Sequence, residues 1–192
     1  MEVEQIQQRY EKFTGLLLKC GDRGKDAITM CEALGERLIM CPAAIHESIP
    51  GAHPGGLIDT SLRVLSRMRD IQKALGDSVK IYTESLIIVG LLHNIGMVGS
   101  DTEDYLLPQD SDWHRKQGRL YRFNESLPKM SVPHRSLFLI QKFGIHLSLE
   151  EWTAIAISGG PHREENRFYV GSEPPIAHLL SQAKTWTGMR DI

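Results

Sequence analysis

Residues 86–92 read LIIVGLL, and this stretch decides the fold because it carries no polar side chain. In a helix its apolar groups point in every direction, and such a helix is stable only when other elements surround it. The helical pattern extends from Glu84 to Ile95, and Gly96 stands where a helix end is expected. We therefore predict a helix in the middle of the core, with the rest of the chain packed around it.

Apolar residues at helical spacing predict further helices on both sides of this stretch. Ile6, Phe13 and Leu17 mark an amphipathic helix at the start of the chain. Ser148 followed by Glu151 has the pattern of a capping box at a helix start. The remaining predicted helices cover residues 25–40, 57–75, 134–143, 148–157 and about 174–187. These patterns predict an all-α fold, a helical bundle.

Three segments lack helical periodicity. Residues 48–56 are rich in proline and glycine and are expected to form a loop. Residues 99–132 mix aspartate, proline, tryptophan and tyrosine, which predicts a long irregular loop with a short β-hairpin. Residues 159–172 form a polar, glycine-containing connection, for which a second hairpin is one interpretation.

Length and composition indicate one globular domain. The chain has 192 residues, of which 41% are hydrophobic and 24% charged. No stretch approaches the roughly 18 apolar residues of a membrane helix, and the first residues lack a signal-peptide pattern. We therefore expect a cytoplasmic protein that does not enter membranes. The formal net charge of −2 provides no general basic surface, so nucleic acid is not an expected partner.

The cysteines and the local basic clusters allow mainly structural interpretations. Cys20, Cys31 and Cys41 show no CxxC pairing, which favours reduced, half-buried thiols over a zinc cluster. The basic run over residues 115–122 is interpreted as a solvated face. His162 with Arg163 could bind a phosphate group or could be ordinary surface charges.

Several segments resemble the HD-domain metal-dependent phosphohydrolases. PGGLIDTSLRV at residues 54–64 is similar to the GGLLEHSLxV segment of that family, and GLLHNIG at residues 90–96 is similar to LLHDIG. PHRSL at residues 133–137 resembles the third motif of a sub-branch with phage-encoded and exoribonuclease-like members, and residues 150–155 and 179–186 resemble its closing helices. The likeness spans about residues 45–187. It implies that residues 1–192 form one HD-like domain, in which the helices of residues 1–41 pack on the part that carries the resemblance.

In that family, histidine nitrogens and carboxylates converge on one or two divalent metals, which activate water to attack phosphorus. Most of the matching positions are substituted in this chain. His93 and His134 are retained. Thr60 and Gly51 stand where the family has histidines, and Asn94 replaces the aspartate of the His-Asp pair. Ser158-Gly159-Gly160 replaces His-Asp-Gly, and Lys184 replaces the aspartate of the last helix.

Lys184 bears most strongly on metal binding. Its ammonium group repels a divalent cation and offers no lone pair until it is deprotonated. In one interpretation Lys184 occupies the vacated metal position and hydrogen-bonds to Asn94 or approaches His93. In the other, its stem lies along the edge of the core and its head reaches water. Both interpretations imply that the chain holds no metal or other cofactor.

The leading hypothesis is a degenerate HD-fold pseudoenzyme. It would bind a nucleotide or another phosphorylated ligand, or a protein partner, without hydrolysis. His134 could instead cap the helix that it begins, and His53 could lie at the surface of its loop. The residues expected to line the former active-site cavity are Thr60, His53, His93, Asn94, His134, Arg135 and Lys184.

Two alternatives come from other functional classes. An active phosphohydrolase, a nucleotidase or phosphodiesterase, could have rebuilt a manganese or magnesium site from His53, His93 and His134. Such a site would also need a carboxylate, for which the candidates are Asp59, Glu47 and Asp101. A phage-type protein that binds and modulates a host protein is the other alternative, and the sequence does not set an oligomeric state.

Overall fold

The computed structural model describes residues 3–188, without the side chain of Asp77. The described chain is mostly helical and contains one small antiparallel sheet, which confirms the predicted all-α fold with a short hairpin. The strands β1 (Leu106–Pro108) and β2 (Tyr121–Phe123) pair with Leu106 opposite Phe123. The helices are α1 (Val3–Leu17), α2 (Gly21–Met40), α3 (Gly56–Leu75), α4 (Thr83–Leu92), α5 (Asp112–Lys116), α6 (Val132–Lys142), α7 (Leu149–Ala156) and α8 (Pro175–Gly188).

The apolar helix α4 lies at the centre of the core, as predicted. Every residue from Leu86 to Leu92 is buried, and α4 packs against α1, α3, α7 and α8. Gly90 allows a close approach of α3, because a Cβ there would lie 3.2 Å from the Cα of Leu65. The absence of a polar face on α4 therefore places helices around it on several sides.

The prediction that α4 continues to Ile95 and ends at Gly96 is wrong. The helix ends at Leu92, and Ile95–Val98 form a separate 3-10 turn after Asn94, whose φ of −111° and ψ of 10° leave the helical region. Gly96 has a different structural role. A Cβ at Gly96 would lie 2.5 Å from the carbonyl oxygen of Val132, so the glycine allows the start of α6 to pack against this turn.

The N-terminal helices are longer and less regular than predicted. The second helix begins at Gly21 rather than at residue 25, and it is interrupted at Gly35, whose φ of 53° and ψ of −134° are not helical. Glycine tolerates this conformation because it has no Cβ. Gly24 lies against the end of α1, where a Cβ would be 2.2 Å from the carbonyl oxygen of Leu17.

The connections between helices agree with the predictions in one case and differ in the other. The predicted hairpin in residues 99–132 is formed by β1 and β2, and the same segment also contains the unpredicted short helix α5. The second hairpin considered for residues 159–172 is wrong: the structure has the 3-10 turn Glu164–Tyr169 and no strand in that range. The side chain of Asn166 explains the difference, because its Nδ2 donates to the carbonyl oxygens of Ile157 at 3.1 Å and Gly160 at 2.8 Å.

Arg23 in α2 connects three helices. Its Nη1 donates to both carboxylate oxygens of Glu151 in α7 at 2.9 and 2.8 Å, and its Nη2 donates to Glu84 in α4 at 3.1 Å. The predicted capping box is confirmed, since Glu151 also accepts from the backbone N–H of Ser148 at 2.8 Å. Burial raises the pKa of Glu151, but hydrogen bonds from Ser148, Ser85 and Arg23 outweigh burial and hold the pKa below its ordinary value.

The three cysteines are free and buried, deeper than the half-buried thiols that were predicted. Burial raises the pKa of Cys20 to about 11 and that of Cys31 to about 12, and it raises the pKa of Cys41 well above the ordinary thiol value.

Within residues 3–188, no helix is both long enough and apolar enough to cross a membrane.

Glu151→Gln is expected to lower the free energy of unfolding by about 2–4 kcal/mol, because a partly buried guanidinium loses the carboxylate that neutralises it. Urea denaturation monitored by circular dichroism measures this change. The matched control is Asp22→Asn, which breaks a fully exposed ion pair with Lys25 and should leave the denaturation midpoint unchanged. Equal effects of the two substitutions would contradict a special role for the Arg23 network.

Candidate functional site

His93 follows α4 and lies inside the protein, with no solvent-exposed surface. Its Nδ1 is 3.1 Å from the carbonyl oxygen of Gly90, and since a carbonyl only accepts, Nδ1 carries the proton and Nε2 a lone pair. That Nε2 atom has no hydrogen-bond partner in the described part of the chain. The backbone is fixed as well, because Ser136 Oγ donates to the carbonyl oxygen of His93 at 2.9 Å.

The imidazole of His93 is held neutral. Burial, and after it the charge of Lys184, lower its pKa to about 3, and the hydrogen bonds to the backbone of Gly90 and Val89 only partly oppose these effects. His93 therefore acts as a neutral acceptor at physiological pH and contributes no positive charge to the site.

Lys184 on α8 places its ammonium group inside the protein. Its Nζ donates to the carbonyl oxygen of Ser158 at 2.6 Å. The residue as a whole is half-buried, but burial of the amine, and after it the charge of Arg163, lower the pKa of Lys184 to about 8. Ser158 follows the end of α7, where carbonyl groups lack helical donors and attract a cation.

These contacts distinguish between the two interpretations of Lys184. The amine lies close enough to His93 to affect its pKa and does not extend into bulk water. The predicted hydrogen bond to Asn94 is wrong, because the amine bonds instead to the carbonyl oxygen of Ser158. We call His93, Ser158, Arg163 and Lys184 the Lys184 cluster.

Two glycines shape the turn that carries the Lys184 cluster. A Cβ at Gly159 would lie 2.5 Å from Arg163 Nε, and a Cβ at Gly160 would lie 2.8 Å from the ring of His162. Gly160 also has a φ of +98°, which side chains other than glycine rarely adopt. The glycines thus allow two basic side chains to lie directly against the backbone of the turn.

Within the described residues, the polar atoms of this cluster are incompletely paired. Ser158 Oγ and Arg163 Nε are buried without partners, as is His93 Nε2. Arg163 makes one long ion pair, 3.6 Å from its Nη1 to Glu165 Oε1, and no carboxylate pairs with Lys184. Arg163 is close enough to lower the pKa of Lys184 through its charge, and its own side chain is partly exposed and pairs with Glu165.

A small cavity adjoins the cluster at Ser158, and His93, Arg163 and Lys184 are not among the residues that line it. It has a volume of about 210 Å³ and is lined by Ser158 and Gly160 from the turn and by Ser181 from α8. Ser181 precedes Lys184 by three residues, so the two lie on the same face of the helix. Glu173 and His178 line another part of the cavity and lie 4.0 Å apart, so the lining is not uniformly cationic.

Two further positions from the resemblance lie side by side. Gly51 has a φ of +86°, and a Cβ there would be 2.7 Å from the Oγ1 of Thr60. Both positions match histidines in the family motif, and in this chain a glycine and a threonine occupy the same neighbourhood. The structure gives no hydrogen bond from Thr60 or Asn94 side chains to the Lys184 cluster within the described residues.

The remaining predicted site residues point elsewhere. His134 is exposed, and its Nδ1 lies 2.9 Å from the Oγ of Ser131. Ser131 is the N-cap of α6, so the alternative that His134 itself caps this helix is wrong. The Nδ1 of His53 lies 2.9 Å from the carbonyl oxygen of Pro54. The guanidinium of Arg135 bonds to loop carbonyls, as described below. Each of these three side chains is thus held by local partners, and none of them forms a hydrogen bond with the Lys184 cluster. That they line one cavity with His93 stays a prediction.

The carboxylates proposed for a rebuilt metal site are also held by other groups. Asp59 is buried and forms ion pairs with Arg9 and, at 3.0 Å, with Arg63. Asp101 pairs with Lys142, and Glu47 is exposed. Over residues 3–188, no group of three or more histidine, cysteine, aspartate or glutamate side chains could hold a metal ion. The donor set around His93, which includes an ammonium, does not fit manganese or magnesium.

Arg163 is the site residue whose position sequence analysis missed. Its pairing with His162 was noticed, but its proximity to Lys184 was not. The available signal was the pair of glycines that precedes it, because consecutive glycines often mark a close approach to a backbone.

Comparisons with protein-family models, curated proteins and solved structures found no match to this chain. The resemblance to HD-domain phosphohydrolases therefore remains a prediction from the sequence motifs.

His93→Leu is expected to reduce the acid sensitivity of the protein. Between pH 6.5 and about 3 the unfolded chain binds a proton at His93 that the folded chain does not, so stability falls as the pH drops through this window. Over this pH range the free energy of unfolding of the variant should change by roughly 2–4 kcal/mol less than that of the wild type. Urea denaturation at half-unit pH steps measures it, with exposed His178→Leu as the control; a wild-type slope in His93→Leu would contradict a buried neutral imidazole.

Lys184→Met is expected to flatten the alkaline part of the stability profile. From about pH 8 to about pH 10.4 the unfolded chain retains a proton at Lys184 that the folded chain has released, so the wild-type free energy of unfolding rises with pH. The variant should lack this rise, which we expect to be roughly 1–3 kcal/mol. Lys73→Met, at an exposed lysine of α3, should keep it.

Proposed function

We propose that this chain is a non-hydrolytic protein of the HD-domain type that binds a phosphorylated small molecule at the Lys184 cluster. The observation that carries this proposal is the pairing of two cations, Lys184 and Arg163, at the glycine turn of residues 158–160. The pKa of Lys184 is lowered first by burial and second by the charge of Arg163. A phosphate group placed between them would remove the repulsion between these two charges and supply acceptors for both.

The chemical types of the neighbouring groups support a phosphate ligand. Lys184 and Arg163 offer N–H donors, and the unpartnered Ser158 Oγ could donate a further hydrogen bond. His93 Nε2, a neutral acceptor, could accept a hydrogen bond from a protonated phosphate oxygen or from a bridging water. The cavity of about 210 Å³ beside Ser158 is smaller than most small-molecule pockets, so we assign to it only the part of the ligand next to the phosphoryl group.

The same cluster argues against metal-dependent hydrolysis. In the family, metal-bound hydroxide attacks phosphorus, and the metal is held mainly by carboxylates and histidines. Here the matching position on the last helix is Lys184, and the candidate carboxylates Asp59 and Asp101 are paired with basic side chains. We therefore infer binding without turnover, and we propose no catalytic residue.

One observation favours the alternative of active metal-dependent hydrolysis. His93 donates its Nδ1–H to a backbone carbonyl and leaves Nε2 free, an arrangement common among histidines that bind metals. Elemental analysis of the purified protein and phosphate-release assays with manganese would reveal such an activity. The third possibility, binding to a host protein of the phage-type class, rests only on the sub-branch resemblance and is tested by capture of a partner.

The binding proposal predicts that inorganic phosphate, pyrophosphate or a nucleoside monophosphate binds in calorimetric titration. Lys184→Met should weaken the binding at least about tenfold, because it removes a buried charge that contacts the ligand. Gly159→Ala should also weaken it, because the added Cβ would displace Arg163 while leaving every charge in place.

Matched controls separate these effects from general destabilisation. Lys73→Met removes an exposed lysine, and Gly15→Ala replaces a helical glycine with open space around it; both should bind phosphate as the wild type does. Sulfate, which does not titrate near neutrality, should lose affinity as Lys184 deprotonates above about pH 8. Unchanged binding in Lys184→Met, or phosphate release catalysed by the wild type, would refute the proposal.

A further inference from the structure

Arg135, which the sequence assigned to the former active site, lies in a second and larger cavity. It belongs to α6 and is only 4% exposed. Its Nη2 donates to the carbonyl oxygens of Pro128 at 3.1 Å and Met130 at 3.5 Å, and its guanidinium carbon lies 4.9 Å from the ring centroid of Tyr105. These contacts fix the plane of the guanidinium without neutralising its charge.

The charge of Arg135 has no counter-ion in the described part of the chain. No carboxylate forms an ion pair with it, and its buried Nε has no hydrogen-bond partner. Arginine remains protonated in proteins, so this charge persists in the folded state. A buried charge without an opposite charge is costly, and one that faces a cavity is a candidate binding group for an anion.

The cavity itself has the composition of a small-molecule site. It has a volume of about 600 Å³, within the range typical of ligand pockets. We call it the Arg135 groove; it is lined by Tyr105, Phe123, Asn124, Lys129 and Arg135, together with Glu125.

The aromatic wall and the charge balance restrict the class of ligand. The rings of Tyr105 and Phe123 lie 5.1 Å apart at 44°, and the Phe123 side chain remains half-exposed. An unsatisfied aromatic face of this kind suits the ring of a ligand. The charges of Glu125 and Lys129 cancel, so the lining residues have a net charge of +1, which comes from Arg135. A singly charged, planar carboxylate matches both the net charge and the fork of the guanidinium.

The position of Arg135 depends on the turn after His93. A Cβ at Gly96 would lie 2.9 Å from the Cβ of Arg135, and the Gly96 N–H donates to Ser136 Oγ at 2.9 Å. The glycine of the GLLHNIG segment thus holds the base of Arg135 against the core while its head lies in the groove. This arrangement uses neither Lys184 nor Arg163, so it does not rest on the function proposed for them.

The geometry points to a second ligand site in the Arg135 groove, which binds a small aromatic carboxylate. The carboxylate would pair with Arg135, and the ring would stack on Phe123 at the wall of the groove. No bond is made or broken in this site, so its role is recognition. Because it does not involve Lys184, Lys184→Met should leave this binding unchanged.

Calorimetric titration with phenylacetate, its neutral analogue phenylacetamide and phenyl phosphate tests the assignment. Phenylacetate should bind at least about tenfold more tightly than phenylacetamide, because only the anion pairs with the buried guanidinium. It should also bind more tightly than phenyl phosphate. Binding of the amide as tightly as the acid, tighter binding of phenyl phosphate, or no binding of phenylacetate at millimolar concentration would overturn the proposal.

Two measurements keep the test independent of folding. Phe123→Ala should weaken phenylacetate binding about five- to tenfold, whereas Phe138→Ala, a phenylalanine on α6 of nearly equal exposure (49% against 48%), should not. The Nε–H resonance of Arg135 in a nitrogen-15 spectrum should shift on addition of phenylacetate and not on addition of phenylacetamide. Equal effects of the two alanine variants, or a stationary Arg135 resonance, would refute the site.

Discussion

The burial of α4 on every side is the constraint on which the rest of the structure depends. A helix whose seven residues from Leu86 to Leu92 are all buried cannot lie at a surface, so α1, α3, α7 and α8 pack around it. The next residue along the chain, His93, is consequently placed in the interior. Desolvation then keeps its imidazole neutral, and the site that forms around it begins from an uncharged acceptor.

The charges around this acceptor are supplied by cations. An HD-type metal centre would need carboxylates here, whereas this chain has an ammonium group on α8 and a guanidinium over a glycine turn. We propose that these cations favour an anionic ligand, whereas the carboxylates of a metal centre favour a cation. The function that we propose therefore rests on the charges at these positions.

Periodicity in the sequence was sufficient to predict most helices, because each exposes one face and buries another. Prediction from periodicity failed where the same residue type is compatible with two different local structures. Gly96 was assigned as a helix end but serves the close approach of α6, and the turn after Gly160 is stabilised by the side chain of Asn166 rather than by a second strand. Neither contact can be read from local spacing, since each depends on a segment distant in sequence or on a side-chain orientation.

The candidate site was predictable in part for the same reason. The motifs placed His93 and Lys184 in one neighbourhood, and the structure brings them together. They could not identify Ser158 as the partner of the lysine, because that depends on how the end of α7 presents its carbonyl groups. They also could not separate Arg135 from His93: the two are near each other in the backbone, but the arginine side chain turns towards the carbonyls of Pro128 and Met130.

The depth of the cysteines has a consequence for chemical modification. Thiols react with alkylating agents and oxidants as thiolates, and burial keeps Cys20, Cys31 and Cys41 protonated and out of contact with solvent. Reaction at these sulfurs requires separation of the helices that cover them. The rate of thiol labelling in this protein is therefore a measure of how often its core opens, and the protein carries three internal reporters of that motion without the need for an added probe.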